Sequence, residues 1–112
     1  MGNDAQQSLA LGKIVTIKPP KTIADGAIPV SISPLTFSII KKNVSNIFTV
    51  TDEQLKDELK FYAQTMKLIV EPTACLSIAG VRNCGLDLKG KRIGVIVTGG
   101  NVSIDRYAQL IS

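Results

Sequence analysis

Histidine is absent from this 112-residue chain, and cysteine occurs only at Cys75 and Cys84. A four-ligand zinc site and an imidazole base therefore cannot be assembled from the chain alone, which excludes histidine-dependent hydrolysis. In a reducing compartment the two thiols are interpreted as buried or idle, rather than as a disulfide or a nucleophile.

Long apolar runs and a strong charge of one sign are also missing. No segment approaches the roughly 18 apolar residues of a membrane span, and the N-terminal residues lack the basic start and apolar run of a secretory signal. The net charge of +4 is small and scattered in doublets such as Lys41-Lys42, which indicates a solvated surface. These features predict a cytoplasmic globular protein that binds neither membranes nor nucleic acid.

Apolar spacing and capping residues predict helices along the whole chain. The first runs from Ala5 to Leu11 with Asp4 as its cap, and the second from Pro34 to Asn43 with Ser33 as its cap. The third begins at a capping box formed by Thr51 and Gln54, and the fourth runs from Thr73 to Arg82. Leu55, Leu59, Tyr62 and Met66 step along one face of the third helix, and this spacing predicts that they belong to the core.

β-Branched runs between these helices predict short strands at residues 14–17, 47–50 and 93–97, and a brief apolar run lies at 68–70. The run at 93–97 is continuous, which fits a strand buried on both faces of a parallel sheet. Alternating helices and buried strands are typical of an α/β architecture, here within a single domain.

The turn Thr98-Gly99-Gly100-Asn101 directly follows the predicted strand 93–97. This is the edge at which open α/β sheets place their ligands. Glycines there let a ligand approach the backbone, and the Thr98 hydroxyl can donate to a neutral ring nitrogen. Taken alone, the motif is a weak signal, and a turn that holds no ligand is the favoured interpretation.

Five segments, residues 21–27, 35–40, 47–53, 66–73 and 98–102, resemble successive segments of the fold-type II pyridoxal-phosphate enzymes. They read KTIADGA, LTFSII, IFTVTDE, MKLIVEPT and TGGNV. Their order and spacing are those of the branch that contains serine/threonine dehydratases, serine racemases and 3-hydroxyaspartate ammonia-lyases. The resemblance implies a largely parallel sheet with flanking helices, as in the tryptophan-synthase β subunit. It also implies that residues 1–112 are the C-terminal portion of the large cofactor-binding domain, without the N-terminal half.

The same resemblance implies roles for individual residues. Thr98 resembles the donor to the pyridine nitrogen of pyridoxal 5'-phosphate, and Gly99, Gly100 and Asn101 complete that cofactor-binding turn. Glu71 resembles a glutamate close to the cofactor ring; the alternative interpretation is a helix-capping carboxylate. Ser33 stands where the family usually has a glycine, at the point where the backbone passes the cofactor.

A divalent cation site is also implied by the resemblance, although only Gly2-Asn3-Asp4 of its motif is present. Gly2 would offer its carbonyl and Asp4 its carboxylate to magnesium or another hard cation. The upstream glutamate of the motif is absent, so the alternative interpretation of Asp4 is a helix cap.

The lysine that binds the cofactor covalently and the phosphate loop belong to the half that is not present, so no catalytic residue is assigned and the chain alone is predicted to be inactive. We therefore expect a fragment or truncated copy of an ammonia-lyase for serine, threonine or hydroxyaspartate, or of a serine racemase. Its partners would be a small hydroxy amino acid, the missing N-terminal half and, when intact, a second subunit in a homodimer. The alternative is a non-catalytic, partner-binding or decayed domain. Missing elements also predict exposed apolar surface.

Overall fold

The computed structural model describes residues 2–112, and within them the chain is helical. The α-helices are α1 (Asp4–Leu11), α2 (Pro34–Asn43), α3 (Asp52–Phe61), α4 (Leu76–Asn83) and α5 (Ile104–Ile111). Shorter helical turns are Asp25–Ala27 and Pro72–Cys75, both 3₁₀, and the π-helical turn Tyr62–Met66. The chain divides into two compact units, with the boundary between Thr49 and Val50.

In the first unit, local signals set the helix ends as predicted. Gly12 ends α1 in the left-handed conformation, with φ of 68°, which is favourable only for a residue without a Cβ. Ser33 caps α2, because its Oγ accepts a hydrogen bond from the backbone N–H of Thr36 at 3.2 Å. The predicted cap of α1 was one residue off: Asn3 is the N-cap, and Asp4 is the buried first residue of the helix.

In the second unit, α3 begins with the predicted capping box. The Thr51 hydroxyl accepts from the Gln54 backbone N–H at 3.2 Å, and the Gln54 side chain accepts from the Thr51 backbone N–H at 2.8 Å. Leu55, Leu59 and Tyr62 are buried as predicted. The prediction for Met66 was wrong, since that side chain is 52% exposed. The π-helical turn Tyr62–Met66 is wider than an α-helical turn, so Met66, four residues after Tyr62, no longer falls on the core face.

Helix α5 completes the core of this unit and was not predicted. It packs against α3, and its Tyr107 hydroxyl donates to the backbone carbonyl of Leu59 at 2.7 Å in a buried position. Two signals in the sequence favour this helix. Ser103 caps it by accepting from the Arg106 backbone N–H, and Tyr107 and Leu110 are spaced to face the core.

None of residues 2–112 lies in a β-strand, so the predicted sheet is not confirmed in this chain. The expected burial of residues 93–97 was also wrong: Ile93, Ile96 and Val97 are 44%, 77% and 40% exposed. A parallel strand is covered only where neighbouring strands and helices pack against it. Within the described residues no helix combines the length and apolarity needed to cross a bilayer.

A buried carboxylate lies beside the core of the second unit. Glu58 Oε1 is 3.5 Å from Arg82 Nε, and the Arg82 guanidinium stacks 4.1 Å from the centre of the Phe61 ring. Glu58 Oε2 is buried without a hydrogen-bond partner among residues 2–112. Burial raises the pKa of Glu58, and the charge of Arg82 only partly offsets that effect.

Burial, followed by the charge of Glu58, raises the pKa of the Cys75 thiol to about 12. Cys75 is therefore an inert thiol at neutral pH, as the sequence predicted.

Replacing Glu58 with glutamine is expected to remove a pH dependence of stability. The pKa of Glu58 is higher in the folded than in the unfolded chain. The stability that the protonated Glu58 side chain contributes is therefore fully present below the unfolded pKa. That contribution is lost as the pH rises through the folded pKa. Urea unfolding should show that Glu58→Gln gains stability relative to wild type as the pH rises from the unfolded pKa through the raised folded pKa of Glu58. The exposed Glu53→Gln is the matched control, and equal pH profiles for wild type and Glu58→Gln would contradict the prediction.

Candidate functional site

The turn Thr98–Asn101 lies between the extended segment 93–97 and helix α5. The backbone φ of Gly99 is 88°, a conformation that L-residues with a side chain rarely adopt. The Val102 backbone N–H donates to the Gly100 carbonyl at 2.8 Å and tightens the turn. Thr98 is exposed, so its hydroxyl is accessible to a ligand from outside the unit.

Glu71 contacts this turn across 30 residues of sequence. Its Oε2 accepts a hydrogen bond from the Asn101 backbone N–H at 3.1 Å, and its own backbone N–H donates to the Gly99 carbonyl at 3.3 Å. Glu71 precedes the turn Pro72–Cys75 but makes no side-chain capping bond to it. The capping interpretation is therefore wrong, and the structure brings Glu71 together with the glycine turn.

The two glycines of the turn have different surroundings. A Cβ at Gly99 would lie 2.6 Å from the Glu71 carboxyl carbon, closer than real Cβ contacts. At Gly100 the nearest atom to such a Cβ is the Ile69 carbonyl oxygen at 3.5 Å, which is an ordinary van der Waals contact. Glycine is thus required at position 99 by both the backbone conformation and the packing of Glu71.

A third contact involves Ser77, which the sequence analysis missed. Ser77 lies in the first turn of α4, and its Oγ donates to the Ile96 carbonyl at 2.7 Å. The acceptor is a backbone carbonyl, which every residue possesses, so residue types give no signal for this pairing.

The remaining predicted site residues, Ser33, Gly2 and Asp4, belong to the first unit. The Ser33 hydroxyl bonds the Thr36 backbone N–H at 3.2 Å and the Thr36 hydroxyl at 2.9 Å. Gly2 is exposed and Asp4 is buried in the first turn of α1. From residue 2 onward, no three acidic, histidine or cysteine side chains cluster where they could hold a metal ion. Two oxygen donors fall well short of the roughly six that a hard cation takes, so no catalytic step is assigned to a cation.

The residues of the turn fit one edge of pyridoxal phosphate. Thr98 offers an exposed neutral hydroxyl, which can donate to an unprotonated ring nitrogen. At Gly100 the backbone is approachable, since a side chain there would meet nothing closer than 3.5 Å. The nearby Glu71 carboxylate already accepts the Asn101 N–H, which fixes its position beside the turn. The donor set therefore suits the ring of the cofactor, and Thr98 is the residue that would hold its nitrogen.

Comparison with known proteins identifies the family of the chain. Residues 2–99 match the pyridoxal-phosphate dependent enzyme family. The chain is 58% identical to serine racemase from Schizosaccharomyces pombe and 51% identical to L-threo-3-hydroxyaspartate ammonia-lyase from Saccharomyces cerevisiae, each over 111 residues. Both alignments cover 99% of this chain and 34% of the relative. The chain thus spans about a third of the length of these curated relatives.

Solved structures give the same result for the fold. Maize serine racemase superposes with a TM-score of 0.85 at 30% identity, over 96% of this chain and 34% of that protein. The serine racemase from Dictyostelium discoideum superposes with a TM-score of 0.80 at 33% identity, over 92% of this chain and 33% of that protein. With the matching residues 2–99, these similarities show that the chain belongs to the pyridoxal-phosphate dependent enzymes of fold type II.

Proposed function

We propose that this chain is the part of a pyridoxal-phosphate enzyme that holds the cofactor ring while a small hydroxy amino acid is converted. The reaction is elimination of water from serine, threonine or hydroxyaspartate, followed by hydrolysis of the resulting imine, which takes up water and releases ammonia and a 2-oxo acid, or it is racemisation of serine. The observation that carries the proposal is the 3.1 Å hydrogen bond between Glu71 Oε2 and the Asn101 backbone N–H. It joins the two segments that the resemblance assigned to the cofactor, in a chain 58% identical to a serine racemase.

In this proposal Thr98 holds the ring nitrogen through its hydroxyl. A hydroxyl donates a hydrogen bond to a neutral nitrogen, whereas a carboxylate in its place would keep that nitrogen protonated. Gly100 lets the ring approach the backbone, while at Gly99 the Glu71 carboxyl occupies the space where a Cβ would lie. Glu71 holds the turn by accepting the Asn101 backbone N–H. Pyridoxal phosphate, when bound, supplies an electron sink for the substrate carbon that loses its proton. The residue that moves that proton is not assigned to this chain.

The parallel sheet also belongs to the proposal. Residues 93–97 are rich in β-branched side chains, of which Ile93, Ile96 and Val97 are exposed. This suits a strand once neighbouring strands pack beside it. The relatives that share this fold are about three times as long as the chain. We propose that the additional residues of such a polypeptide supply those neighbours and cover the exposed apolar side chains.

A chimera tests this function. The chain would replace the matching third of the S. pombe serine racemase. Racemisation of serine would be measured, together with release of a 2-oxo acid from serine, threonine and hydroxyaspartate. Turnover with covalently bound, borohydride-trappable cofactor is the expected result, and the 112-residue chain alone should show neither. A chimera that folds and binds cofactor without acting on any of the three hydroxy amino acids would support the non-catalytic alternative instead.

Variants at Thr98 test the role of its hydroxyl in the same chimera. Thr98→Val keeps the shape and removes one neutral hydrogen bond, so cofactor binding should weaken by roughly 2- to 13-fold. Thr98→Ser keeps the hydroxyl and should bind the cofactor as wild type does. Thr98→Asp should lower turnover, because a carboxylate favours the protonated ring nitrogen. Equal dissociation constants for the valine and serine variants would remove Thr98 from the proposed site.

A further inference from the structure

The turn Thr98–Asn101 is held from both sides by one short segment, residues 71–77. After the glycines, Glu71 accepts the Asn101 N–H at 3.1 Å. Before them, Ser77 Oγ donates to the Ile96 carbonyl at 2.7 Å. The two contacts lie on opposite sides of Thr98 in sequence, so they fix the path of the chain into and out of the turn.

The Ser77 hydroxyl has two nearby acceptors, and it donates to the distant one, the Ile96 carbonyl, rather than to a carbonyl in the preceding turn Pro72–Cys75. Ser77 Oγ also lies 3.5 Å from the Ala74 carbonyl, three residues earlier. A hydroxyl hydrogen bond is strong near 2.7 Å and weak at 3.5 Å. The hydroxyl is therefore directed at the Ile96 carbonyl, 19 residues away in sequence.

Fixing the Ile96 carbonyl orients more than one atom. The peptide between Ile96 and Val97 is planar, so a hydrogen bond to its oxygen sets the direction of the whole unit. Only the backbone dihedrals of Val97 and Thr98 then separate this anchored plane from the glycines. Two anchored ends restrict the direction of the Thr98 Cα–Cβ bond, and a β-branched side chain on that bond has few favourable χ1 rotamers.

We propose that Ser77 is a positioning residue for Thr98: through the Ile96 carbonyl it holds the turn so that the Thr98 hydroxyl faces the ring nitrogen. The direction of that hydroxyl toward the cofactor rests on the proposed function. The hold of Ser77 on the turn does not, because it is a contact within the second unit of this chain.

The test compares Ser77→Val with Ser77→Thr in the 112-residue chain. Both variants introduce the same β-branched shape, and only threonine keeps the hydroxyl. Amide hydrogen exchange by NMR would follow Asn101, in the turn, and Leu59, a buried residue in the last turn of α3. In Ser77→Val we expect Asn101 to exchange roughly 2- to 13-fold faster than in Ser77→Thr, with Leu59 unchanged.

Two results would overturn the inference. Equal Asn101 exchange in the two variants would show that the hydroxyl does not hold the turn. Equal acceleration at Asn101 and Leu59 would show a general loss of stability, and therefore a purely structural role. The exchange experiment needs no cofactor, so the proposed function is judged separately. That function fails if Thr98→Val leaves cofactor binding by the chimera unchanged while the Ser77 variants behave as expected.

Discussion

Replacing Leu59 with alanine is expected to lower the free energy of unfolding by about 2–5 kcal/mol. Leu59 is fully buried in the last turn of α3, and the Tyr107 hydroxyl donates a hydrogen bond to its backbone carbonyl at 2.7 Å. Removing the side chain leaves a cavity at the point where α3 meets α5, and neighbouring helices collapse into such cavities only partly. Urea denaturation followed by circular dichroism measures the loss.

Leu86→Ala is the matched control for this experiment, since the Leu86 side chain is 58% exposed. Its removal takes little apolar area out of the protein interior, so we expect the free energy of unfolding to change by no more than about 0.5 kcal/mol. Comparable losses for the two variants would show that Leu59 does not lie at the centre of a packed core.

The elements that could be predicted from the sequence depend on residues close together in the chain. Thr51 and Gln54 form a capping box with each other, so four residues of sequence suffice to recognise it. Ser33 with Pro34 marks the start of α2, and Gly12 marks the end of α1, for similarly local reasons. In each case the signal and the structure lie within one helical turn.

The predictions that went wrong depend on longer-range or subtler features. Met66 has the correct spacing for the core face, yet a π-helical turn displaces it, and residue types do not indicate that change of pitch. Residues 93–97 have the composition of a buried strand, but burial is supplied by neighbours and not by the strand itself. Helix α5 was missed although Ser103 and Tyr107 signal it.

In the candidate site, too, the features with local sequence signals could be predicted and the long-range contacts could not. The turn Thr98–Asn101 was recognisable because glycines and a hydroxyl residue followed a β-branched run. The involvement of Glu71 was inferred from the resemblance, and the structure adds its hydrogen bond to the Asn101 N–H. The Ser77 contact could not be foreseen, because its partner is the Ile96 carbonyl and carbonyls carry no residue-specific signal.

Gly99→Ala is expected to open the turn Thr98–Asn101 in the chain itself. A φ of 88° strains any L-side chain by about 1–3 kcal/mol, and the new Cβ would lie 2.6 Å from the Glu71 carboxyl carbon. Glu71 can swing away, but it then gives up a charge-assisted bond to the Asn101 N–H, worth about 1.5–3 kcal/mol. The combined cost of about 2.5–6 kcal/mol is more than the roughly 2 kcal/mol that corresponds to a 30-fold shift toward open conformations.

Amide exchange at Asn101 measures that shift without any cofactor. In Gly99→Ala the Asn101 amide should exchange at least about 30-fold faster, or as fast as an unprotected amide, while Leu59 stays protected. Gly100→Ala is the matched control, because Gly100 does not adopt a positive φ and its added Cβ would lie 3.5 Å from the nearest atom, the Ile69 carbonyl oxygen. Asn101 should keep its protection in that control. If Asn101 exchanges at the wild-type rate in both variants, Glu71 does not hold the turn, and the contact that supports the cofactor assignment is lost with it.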